Sequence, residues 1–313
     1  MFRWRILPPS YGNGYRRSPK KILDMSGIYY AGSQNCALIA GVEAAARTHG
    51  LEVNRLRDER RTLLAGDAAD NVVLEEAAGG ILRADEALAA LKMYCRNSGA
   101  TILENAPVST PREAETIVIR CIGPWLAHDP LAGRHLTSAR VYCHWFEHDG
   151  GSPLFEKAFL LQGYDGRVLY GMRTGPREIK VGWHNYPVLP LEPGHAADES
   201  PLSYVEDICG ALSKITGSRL MHSRSKGCYF TNSTDENHVL DWSGPHELFA
   251  GGLSGHGFKF APALGVGLVE AAETGRIPEH LACFGLSRFD NSSVTGRTHL
   301  SDGDILTGAN WRI

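Results

Sequence analysis

The first half of the chain alternates between segments with helical periodicity and short apolar runs, which is typical of an α/β sheet. Ser33 precedes an Ala- and Leu-rich segment that Gly50 ends, and this predicts a helix with a polar N-cap and a C-terminal glycine. Asp85 begins a second amphipathic segment, which Gly99 ends. The predicted helices span 34–49 and 85–98, and the predicted strands span 100–104 and 116–122.

After residue 138 the apolar positions change to short alternating runs that Gly, Asp and Pro separate, which predicts a mostly antiparallel sheet. The strand-like runs are 141–147, 157–162, 167–171, 178–184 and 227–231. Pro201 is expected at the first position of a helix that Gly217 ends, and a last helix is expected over 262–274.

Chain length, net charge and the lack of long apolar runs bear on the number of domains and on the kinds of partner. A chain of 313 residues is too long for one ordinary core, so either two domains or one large α/β body with insertions is expected. The net charge is only -3 and the basic residues form no large field, so a nucleic acid partner is disfavoured. No apolar run approaches the ~18–20 residues that a membrane span needs.

The seven cysteines are scattered, never spaced as C-x-x-C, and no signal peptide precedes them. This pattern favours reduced thiols in an intracellular protein and disfavours a zinc site or a disulfide framework. The first 22 residues are basic and free of acids, but Pro8, Pro9, Gly12 and Gly14 interrupt the amphipathic helix of a transit peptide. A solvated arm is therefore expected at 1–22.

A glycine cluster is the most informative segment for function. It reads Ala250-Gly-Gly-Leu-Ser-Gly-His-Gly-Phe-Lys-Phe-Ala-Pro262 and runs into the predicted last helix. Closely spaced glycines let the backbone approach a ligand, and a helix N-terminus stabilises an anion such as a reduced flavin by ~0.3–2 kcal/mol. A plain tight turn before a helix fits the same composition, so both interpretations stay open.

Two shorter motifs are set aside. His144-Trp-Phe-Glu-His148 has the spacing of an inverted zinc-protease motif, but that motif requires a helix and its context here predicts a strand. Gly252-Leu-Ser-Gly-His256 is similar to a nucleophile elbow, yet histidine stands at its last glycine position.

Four segments together resemble the FAD-dependent amine oxidases of the sarcosine oxidase type, a family that includes N-methyltryptophan oxidase and the peroxisomal sarcosine/pipecolate oxidases. The segments agree with that family in order and spacing, and a looser match extends back to Leu23. They are Tyr170-Gly171 with Glu178-Ile-Lys-Val-Gly-Trp-His184, Gly227-Cys-Tyr-Phe-Thr with Asp235-Glu236, the glycine cluster, and Arg288-Phe289.

The resemblance implies a fold of the α/β and α+β classes. An incomplete FAD-binding Rossmann-like domain would join a mostly antiparallel sheet substrate domain with flanking helices. The implied segments are the basic arm at 1–22, a remnant FAD-binding domain at 23–138 and 226–289, the substrate domain at 139–225 and a flexible tail at 290–313.

The resemblance also implies an activity: oxidation of the C–N bond of a secondary amine or N-methyl amino acid, with dioxygen as acceptor and hydrogen peroxide as product. Cys228 would carry the flavin as a thioether, and Lys180 would promote the reaction with oxygen. Lys259 would bind the substrate carboxylate, while His184 and Tyr170 would line the substrate pocket. The implied flavin-binding residues are Cys228, Gly252, Ser254, Gly255, His256, Gly257, Phe258 and Lys259.

Taken singly, each of these side chains has an ordinary structural explanation. A cysteine in a strand is usually part of the core, a strand lysine is usually solvated, a lysine beside phenylalanines often lies along them, and a histidine is often a hydrogen-bonded core residue. The agreement with the family's spacing favours the functional roles of Cys228, Lys180, Lys259 and His184 together rather than one at a time.

The family's dinucleotide turn, G-x-G-x-x-G between a strand and a helix, has no counterpart in this sequence. Three hypotheses follow: a divergent FAD-dependent oxidase, a flavin-free pseudoenzyme that acts as a binding module, or one half of a split flavoenzyme whose partner chain supplies the dinucleotide-binding domain. An exposed apolar sheet edge near 116–122 would favour the third. The C-terminus, Asn-Trp-Arg-Ile313, is not of the S-K-L type, so the cytoplasm is expected rather than the peroxisome.

Overall fold

The computed structural model describes residues 22–56, 63–64, 71–106, 116–163, 165–184, 189–190 and 200–290. The strands are β1 (Leu23–Asp24), β2 (Ile28–Ser33), β3 (Asn54–Arg55), β4 (Asn71–Glu76), β5 (Ile81–Leu82), β6 (Val118–Arg120), β7 (Leu136–His148), β8 (Ala158–Gln162), β9 (Val168–Gly175), β10 (Glu178–Trp183), β11 (Leu189–Pro190), β12 (Leu220–Ser233), β13 (Val239–Gly244) and β14 (Glu247–Gly251). The α-helices are α1 (Ala37–His49), α2 (Ala84–Asn97), α3 (Leu202–Thr216), α4 (Gly257–Thr274) and α5 (Ser287–Asp290). Short 3₁₀ helices span Gly123–His128, Gly133–His135, Pro153–Glu156 and Glu279–Phe284.

The largest element is a nine-stranded sheet in which β7 and β12 form the longest pair. Its strands follow the order β11-β7-β10-β9-β8-β2-β4-β3, and β12 pairs with β7. The β7–β12 pairing runs from Leu136↔Ser233 to His148↔Leu220, with one register shift after His222. Apart from the parallel β2–β8 pair, the pairings are antiparallel, which confirms the expectation for the second half of the chain.

One face of this sheet is buried under α3. Ile179, Val181 and Trp183 alternate along β10 and share one hydrophobic cluster with Phe146 of β7. The side chains of α3 in that cluster follow helical spacing and are Val205, Ile208, Ala211, Leu212 and Ile215. Since burial of each large aliphatic side chain contributes roughly 1.5–3 kcal/mol, this contact fixes which face of the sheet is left for a site.

The second sheet has the order β13-β14-β6, with β14 parallel to β6. Helix α4 covers it with Leu264, Leu268 and Ala271, which pack on Leu240 and Leu248. Within the described residues β6 pairs with β14 alone, and Ile119 on it is 37% exposed. This sheet therefore has an open parallel edge.

The strands β2, β3 and β4, from the segment predicted to belong to the FAD-binding part, hydrogen-bond into the nine-stranded sheet through β8. The domain boundaries inferred from the sequence stay predictions. The arm and tail predicted at the two ends of the chain lie outside the described residues, except for their inner ends. No helix among the described residues is long and apolar enough to cross a membrane.

Two predicted strands need correction. Residues 100–104 form no strand: Leu103 is 77% exposed, and the segment pairs with no strand in the part of the chain that the structure describes. The strand predicted at 116–122 shrinks to β6, because only these three residues find partners in β14.

Helix starts also differ from the predictions. Helix α1 begins at Ala37 rather than at 34, because Ser33 ends β2 and pairs with Asn71. Pro201 precedes α3 as its N-cap instead of occupying the first turn, while Gly217 ends that helix with φ of 67°, as expected. Helix α4 begins at Gly257 rather than 262, so Pro262 lies inside it.

A buried arginine ties the sheet to α3. The Arg167 Nη1 donates to Asp207 Oδ2 at 2.7 Å and its Nε donates to Asp165 Oδ2 at 2.7 Å. The guanidinium also lies 4.4 Å from the centroid of the Trp183 ring. Arg167 and Asp207 are both more than 90% buried, so neither charge has water to replace its partner.

We expect Asp207→Ala to lower the free energy of unfolding by about 3–5 kcal/mol, because it leaves the buried Arg167 charge undercompensated. Urea denaturation followed by circular dichroism measures this change. The matched control is Glu206→Ala, which removes an exposed carboxylate from the next position of α3 and should change stability by less than about 0.5 kcal/mol. Equal effects of the two substitutions would show that the buried pair has no special role.

Candidate active site

The open face of the nine-stranded sheet brings together three residues that the sequence singled out: Tyr170, Lys180 and Cys228. Lys180 on β10 lies opposite Met172 of β9 and Trp145 of β7. Side chains alternate between the two faces of a strand, so Lys180 points away from the core face of Ile179 and Val181.

Tyr170 lies across Gly182, its cross-strand neighbour on β10. A Cβ at Gly182 would stand 2.7 Å from the Tyr170 Oη, so this position has room only for glycine. The ring reaches β7, where the Tyr170 Oη lies 3.3 Å from the Cys143 Sγ. Burial, and then the neighbouring Cys143, raise the pKa of Tyr170, so its hydroxyl stays protonated and donates to the sulfur.

Cys143 stands beside Cys228, and sequence reasoning missed it. Cys143 lies opposite Lys226 and Cys228 lies opposite Val141, so the two cysteines are diagonal neighbours on the same face of the β7–β12 ladder. Both are free thiols; Cys143 is buried and Cys228 is half-buried. The sequence offered one signal for Cys143, its position in the predicted strand 141–147. Its proximity to Cys228 depends on the pairing register of β7 with β12, which the sequence does not reveal.

The surroundings shift the pKa values of the two thiols in opposite directions. A hydrogen bond from Cys228, then the charge of Lys180 and the hydroxyl of Tyr170, lower the pKa of Cys143. The same hydrogen bond and burial raise the pKa of Cys228. The pair therefore holds its first negative charge on Cys143.

Trp145, also missed from the sequence, lies between two cations at the edge of this face. The Lys180 Nζ is 5.4 Å and the Arg224 Cζ is 4.5 Å from its ring centroid. Arg224 is itself tied to Glu178, with Nη1 donating to Oε1 at 2.5 Å. Cation–π contact helps to hold the Lys180 ammonium at a fixed place over the sheet.

The glycine cluster forms a loop between β14 and α4 that is anchored to the end of β12. The Ser254 N donates to the Thr231 carbonyl at 3.0 Å, and the Ser233 N donates to the Ser254 Oγ at 3.2 Å. Gly252, Ser254 and Gly255 have φ of 57°, 47° and 74°, the left-handed region that favours glycine. The loop thus stands next to the strand that carries Cys228.

The loop has no space for side chains where it approaches its neighbours. A Cβ at Gly255 would lie 2.7 Å from the Phe230 ring, and a Cβ at Gly257 would lie 2.3 Å from the Leu253 side chain. Helix α4 begins directly after the loop, so its free N–H groups and positive dipole end face the same region. Phe258 and Lys259, exposed in the first turn, lie at that helix end.

A histidine pair joins this loop to the end of β10. The rings of His184 and His256 are 5.1 Å apart between centroids and meet edge to face. Burial lowers the pKa of His184, with Lys259 adding to the effect and Glu236 opposing it. Burial, His184 and Lys259 lower the pKa of His256 to about 4, so both imidazoles are neutral at pH 7.

The predicted residues thus form two neighbouring groups. Tyr170, Lys180 and Cys228 lie on the sheet face, and His184, His256 and Lys259 lie around the glycine loop. Strand β10 connects them, since Lys180 and His184 are four residues apart, or about 13 Å along an extended chain.

A family model described as FAD dependent oxidoreductase matches residues 15–271. An N-methyl-L-tryptophan oxidase of Salmonella arizonae is 29% identical over 332 residues, covering 91% of this chain and 87% of the relative. Among solved structures, the fold is similar to NikD, an unusual amino acid oxidase essential for nikkomycin biosynthesis, with a TM-score of 0.72 and 17% identity over 89% of this chain and 80% of that one. Glycine oxidase from Geobacillus kaustophilus matches with a TM-score of 0.69 and 15% identity over 90% of this chain and 80% of that one.

The described residues fit FAD. The glycines at 252, 255 and 257 let the loop pack closely on its own neighbours, and the N-terminus of α4 that follows the loop stabilises negative charge. A half-buried thiol, Cys228, borders the same region. These features suit the anionic edge of a reduced flavin ring.

The low pKa of His256 predicts a stability change in mild acid. An ordinary histidine has a pKa near 6.5 in the unfolded chain, so from pH 6.5 down to about 4 the unfolded state takes up the proton first and the free energy of unfolding falls. We expect His256→Asn to reduce this fall by about 1–2 kcal/mol, since partial exposure screens the effect. Urea titrations at pH 4.5 and 7.5 measure it, with the exposed His280→Asn as control. An unchanged pH dependence in His256→Asn would contradict the assignment.

Proposed function

Because this chain belongs to the FAD dependent oxidoreductase family, we propose that it oxidises the C–N bond of a secondary amine or N-methyl amino acid, with dioxygen as acceptor and hydrogen peroxide as product. The observation that carries the proposal is the arrangement of Tyr170, Lys180 and Cys228 on one open sheet face beside the glycine loop. A bound FAD would supply the redox chemistry, as the two-electron acceptor for the substrate that dioxygen can reoxidise.

The glycine loop and the start of α4 would hold the cofactor. Gly252, Gly255 and Gly257 let the loop fold tightly against its own neighbours, and Ser254 keeps the loop in shape through its hydrogen bonds to β12. The remaining residues proposed to border the ring are His256, Phe258, Lys259 and, as the point of a thioether bond, Cys228.

Lys180 would act on dioxygen. Its ammonium is held over the sheet by Trp145 and lies close enough to Cys143 to lower the pKa of that thiol. A cation fixed in this way stabilises negative charge that develops on dioxygen during electron transfer, without reorganising at the moment of reaction.

The groups around His184 would bind and prepare the substrate. His184 is neutral at pH 7, so it can accept the proton that a secondary ammonium must lose before its C–N bond is oxidised. Lys259 stands in the first turn of α4, where surrounding protein atoms lower its pKa by desolvation although the side chain still reaches solvent, so a substrate carboxylate would compensate both the dipole and the lost hydration. Tyr170 would close the pocket from the sheet face.

The comparisons favour an aromatic N-methyl amino acid among the first substrates to test, since the curated relatives are N-methyl-L-tryptophan oxidases. Trp145, with cations on its ring, adds an aromatic surface at the edge of the open face.

A second candidate is that the chain works as one half of a split flavoenzyme. Strand β6 has a neighbour on one side only within the described residues, and its Ile119 is 37% exposed. An open parallel edge of this kind is completed by a further strand, which a partner chain with a dinucleotide-binding unit would supply. In that case the isolated chain would not retain FAD and would gain it in the complex.

Covalent flavin tests the main proposal. We expect protein expressed with FAD to give a yellow pellet after acid precipitation, with the colour lost in Cys228→Ala and kept in the control Cys283→Ala, an exposed cysteine far along the chain. The visible spectrum of the redissolved pellet and peroxide release from N-methyl-L-tryptophan or sarcosine measure the result. A folded protein that stays colourless alone and with any co-purified chain would overturn flavin chemistry and favour a binding module.

Substrate binding tests Lys259. We expect Lys259→Met to raise KM for an N-methyl amino acid about 10- to 100-fold, because a carboxylate contact to a charged group contributes about 1.5–3 kcal/mol. It should change KM little for the matching N-methyl amine without a carboxylate. An equal rise in KM for both substrates would show that Lys259 does not bind the substrate carboxylate.

A further inference from the structure

A serine hydroxyl at the edge of the nine-stranded sheet lies between two imidazole rings. The Ser225 Oγ is 2.9 Å from the His144 Nδ1 and 2.9 Å from the His222 Nε2. His144 belongs to β7 and is only 1% exposed, whereas Ser225 on β12 is half-buried and His222 is exposed. The hydroxyl thus has a buried imidazole on one side and a solvent-exposed imidazole on the other.

A β-bulge in β12 creates this arrangement. Residues three apart in a regular strand point to opposite faces of the sheet. Here Ser225 lies opposite His144, and His222 lies opposite the next β7 residue on the same face. The register shift that follows His222 inserts one extra residue, Ser223, which puts both side chains on that face. Bulges often re-aim a side chain beside a functional site, and this one places an imidazole next to a hydroxyl.

The three side chains stand on the other face of the sheet from Cys228 and Lys180. His144 alternates with Cys143 along β7 and shares its face with Phe146, which packs in the cluster under α3. The described residues contain no group of three or more His, Cys, Asp or Glu side chains that could hold a metal ion. In this part of the chain, neither the proposed flavin chemistry nor a metal site accounts for the arrangement.

We propose that Ser225 is an activated nucleophile that takes up a small acyl group from esters, with His222 as its general base and His144 as the donor that positions the hydroxyl. A nucleophile and a base within hydrogen-bond reach are the minimum that serine-based acyl transfer requires. Since this group and the flavin site lie on opposite faces of the sheet, neither role depends on the other.

The two hydrogen bonds fix the direction of the serine proton. A hydroxyl donates one hydrogen bond and a neutral imidazole has one N–H, so Ser225 accepts from one histidine and donates to the other. Burial, and then the nearby His222, lower the pKa of His144 to about 4, so His144 is neutral at pH 7 and a poor base. His144 therefore donates from Nδ1, and the Ser225 O–H points at the Nε2 of His222, which solvent reaches.

Acyl transfer along this path needs no reagent besides the ester and water. The Ser225 Oγ bonds to the ester carbonyl carbon as its proton passes to the His222 Nε2. The ester C–O bond then breaks, and the leaving oxygen takes that proton from His222. Water repeats the same steps on the acyl-serine, which releases a carboxylic acid and restores the hydroxyl.

The edge position of β12 supplies both access and a donor for the oxyanion. Among the described residues β12 pairs only with β7, and every second backbone N–H of an edge strand points outward. Such an N–H, at or next to Ser225, can donate to the oxyanion of the tetrahedral intermediate. Helix α3 covers the inner part of this face, where Phe146 is fully buried, so a small acyl group approaches from the strand edge.

Covalent labelling of the full-length protein tests the proposal. The protein is treated with p-nitrophenyl acetate or with a fluorophosphonate probe, and intact mass and peptide mapping locate the stable adduct. The variants are Ser225→Ala and His222→Gln, whose amide reaches the place of Nε2 but takes up no proton. The matched control is Ser223→Ala, which changes an exposed serine of the same strand whose Oγ donates to the Trp145 carbonyl.

We expect one adduct, at Ser225, in the wild type and in Ser223→Ala, and no adduct in Ser225→Ala. The His222→Gln variant should be labelled at least about 100-fold more slowly, because general base catalysis contributes about 10²–10⁴-fold. Equal labelling of Ser223 and Ser225, or a wild-type rate in His222→Gln, would overturn the proposal. A folded wild-type protein that stays unlabelled would reject Ser225 as a nucleophile, whatever the flavin experiments show.

The positioning role of His144 has its own pair of variants. His144→Asn keeps an N–H near the place of Nδ1, whereas His144→Leu removes the donor, and circular dichroism checks that both are folded. We expect His144→Asn to keep most of the labelling rate and His144→Leu to lose about tenfold, the effect of one lost hydrogen bond to the hydroxyl. Equal rates in the two folded variants would contradict the donor role of His144.

Discussion

The pairing of β7 with β12 is the constraint on which the site depends. Side chains alternate with a period of two, so one register assigns every residue of both strands to the core or to the open face. A slip of β7 by one residue would turn Cys143 toward α3 and bring Phe146 to the open face, and a slip of β12 would turn Cys228 toward the core face. The apolar contacts of α3 with the core face, and the buried Arg167–Asp207 pair beneath it, disfavour that alternative by several kcal/mol.

The same register explains the glycines at the site. Gly182 is required by the Tyr170 ring that crosses it, and Gly255 by the Phe230 ring at the end of β12. Each glycine lets an aromatic side chain lie against backbone, so the two rings pack into the sheet and the loop without displacing them.

Part of this was predictable from the sequence. The alternation after residue 138, the glycine C-caps at Gly50 and Gly217, and the order of the family segments each depend on local spacing, and the structure agrees with them. The strand predicted at 100–104 was wrong because β-propensity alone cannot supply a neighbouring strand. The start of α4 was misplaced because Pro262 was taken as its first turn, whereas the loop glycines allow the helix to begin at Gly257. Cys143 and Trp145 were missed because their importance comes from cross-strand neighbours about 80 positions away in the chain.

Electrostatics divide the site into two regions with different tasks. Around the glycine loop the histidines are neutral and Lys259 is partly desolvated, so this region favours an anionic group and can take up a proton. On the sheet face Lys180 and the Tyr170 hydroxyl favour negative charge on sulfur, so that region favours nucleophilic chemistry and developing anions. Each region thus contains one lysine, Lys180 or Lys259, and a cation near an anionic group stabilises its charged form. Lys180 and His184 are four residues apart, about 13 Å along an extended chain, so the two regions are neighbours held at a fixed spacing by β10.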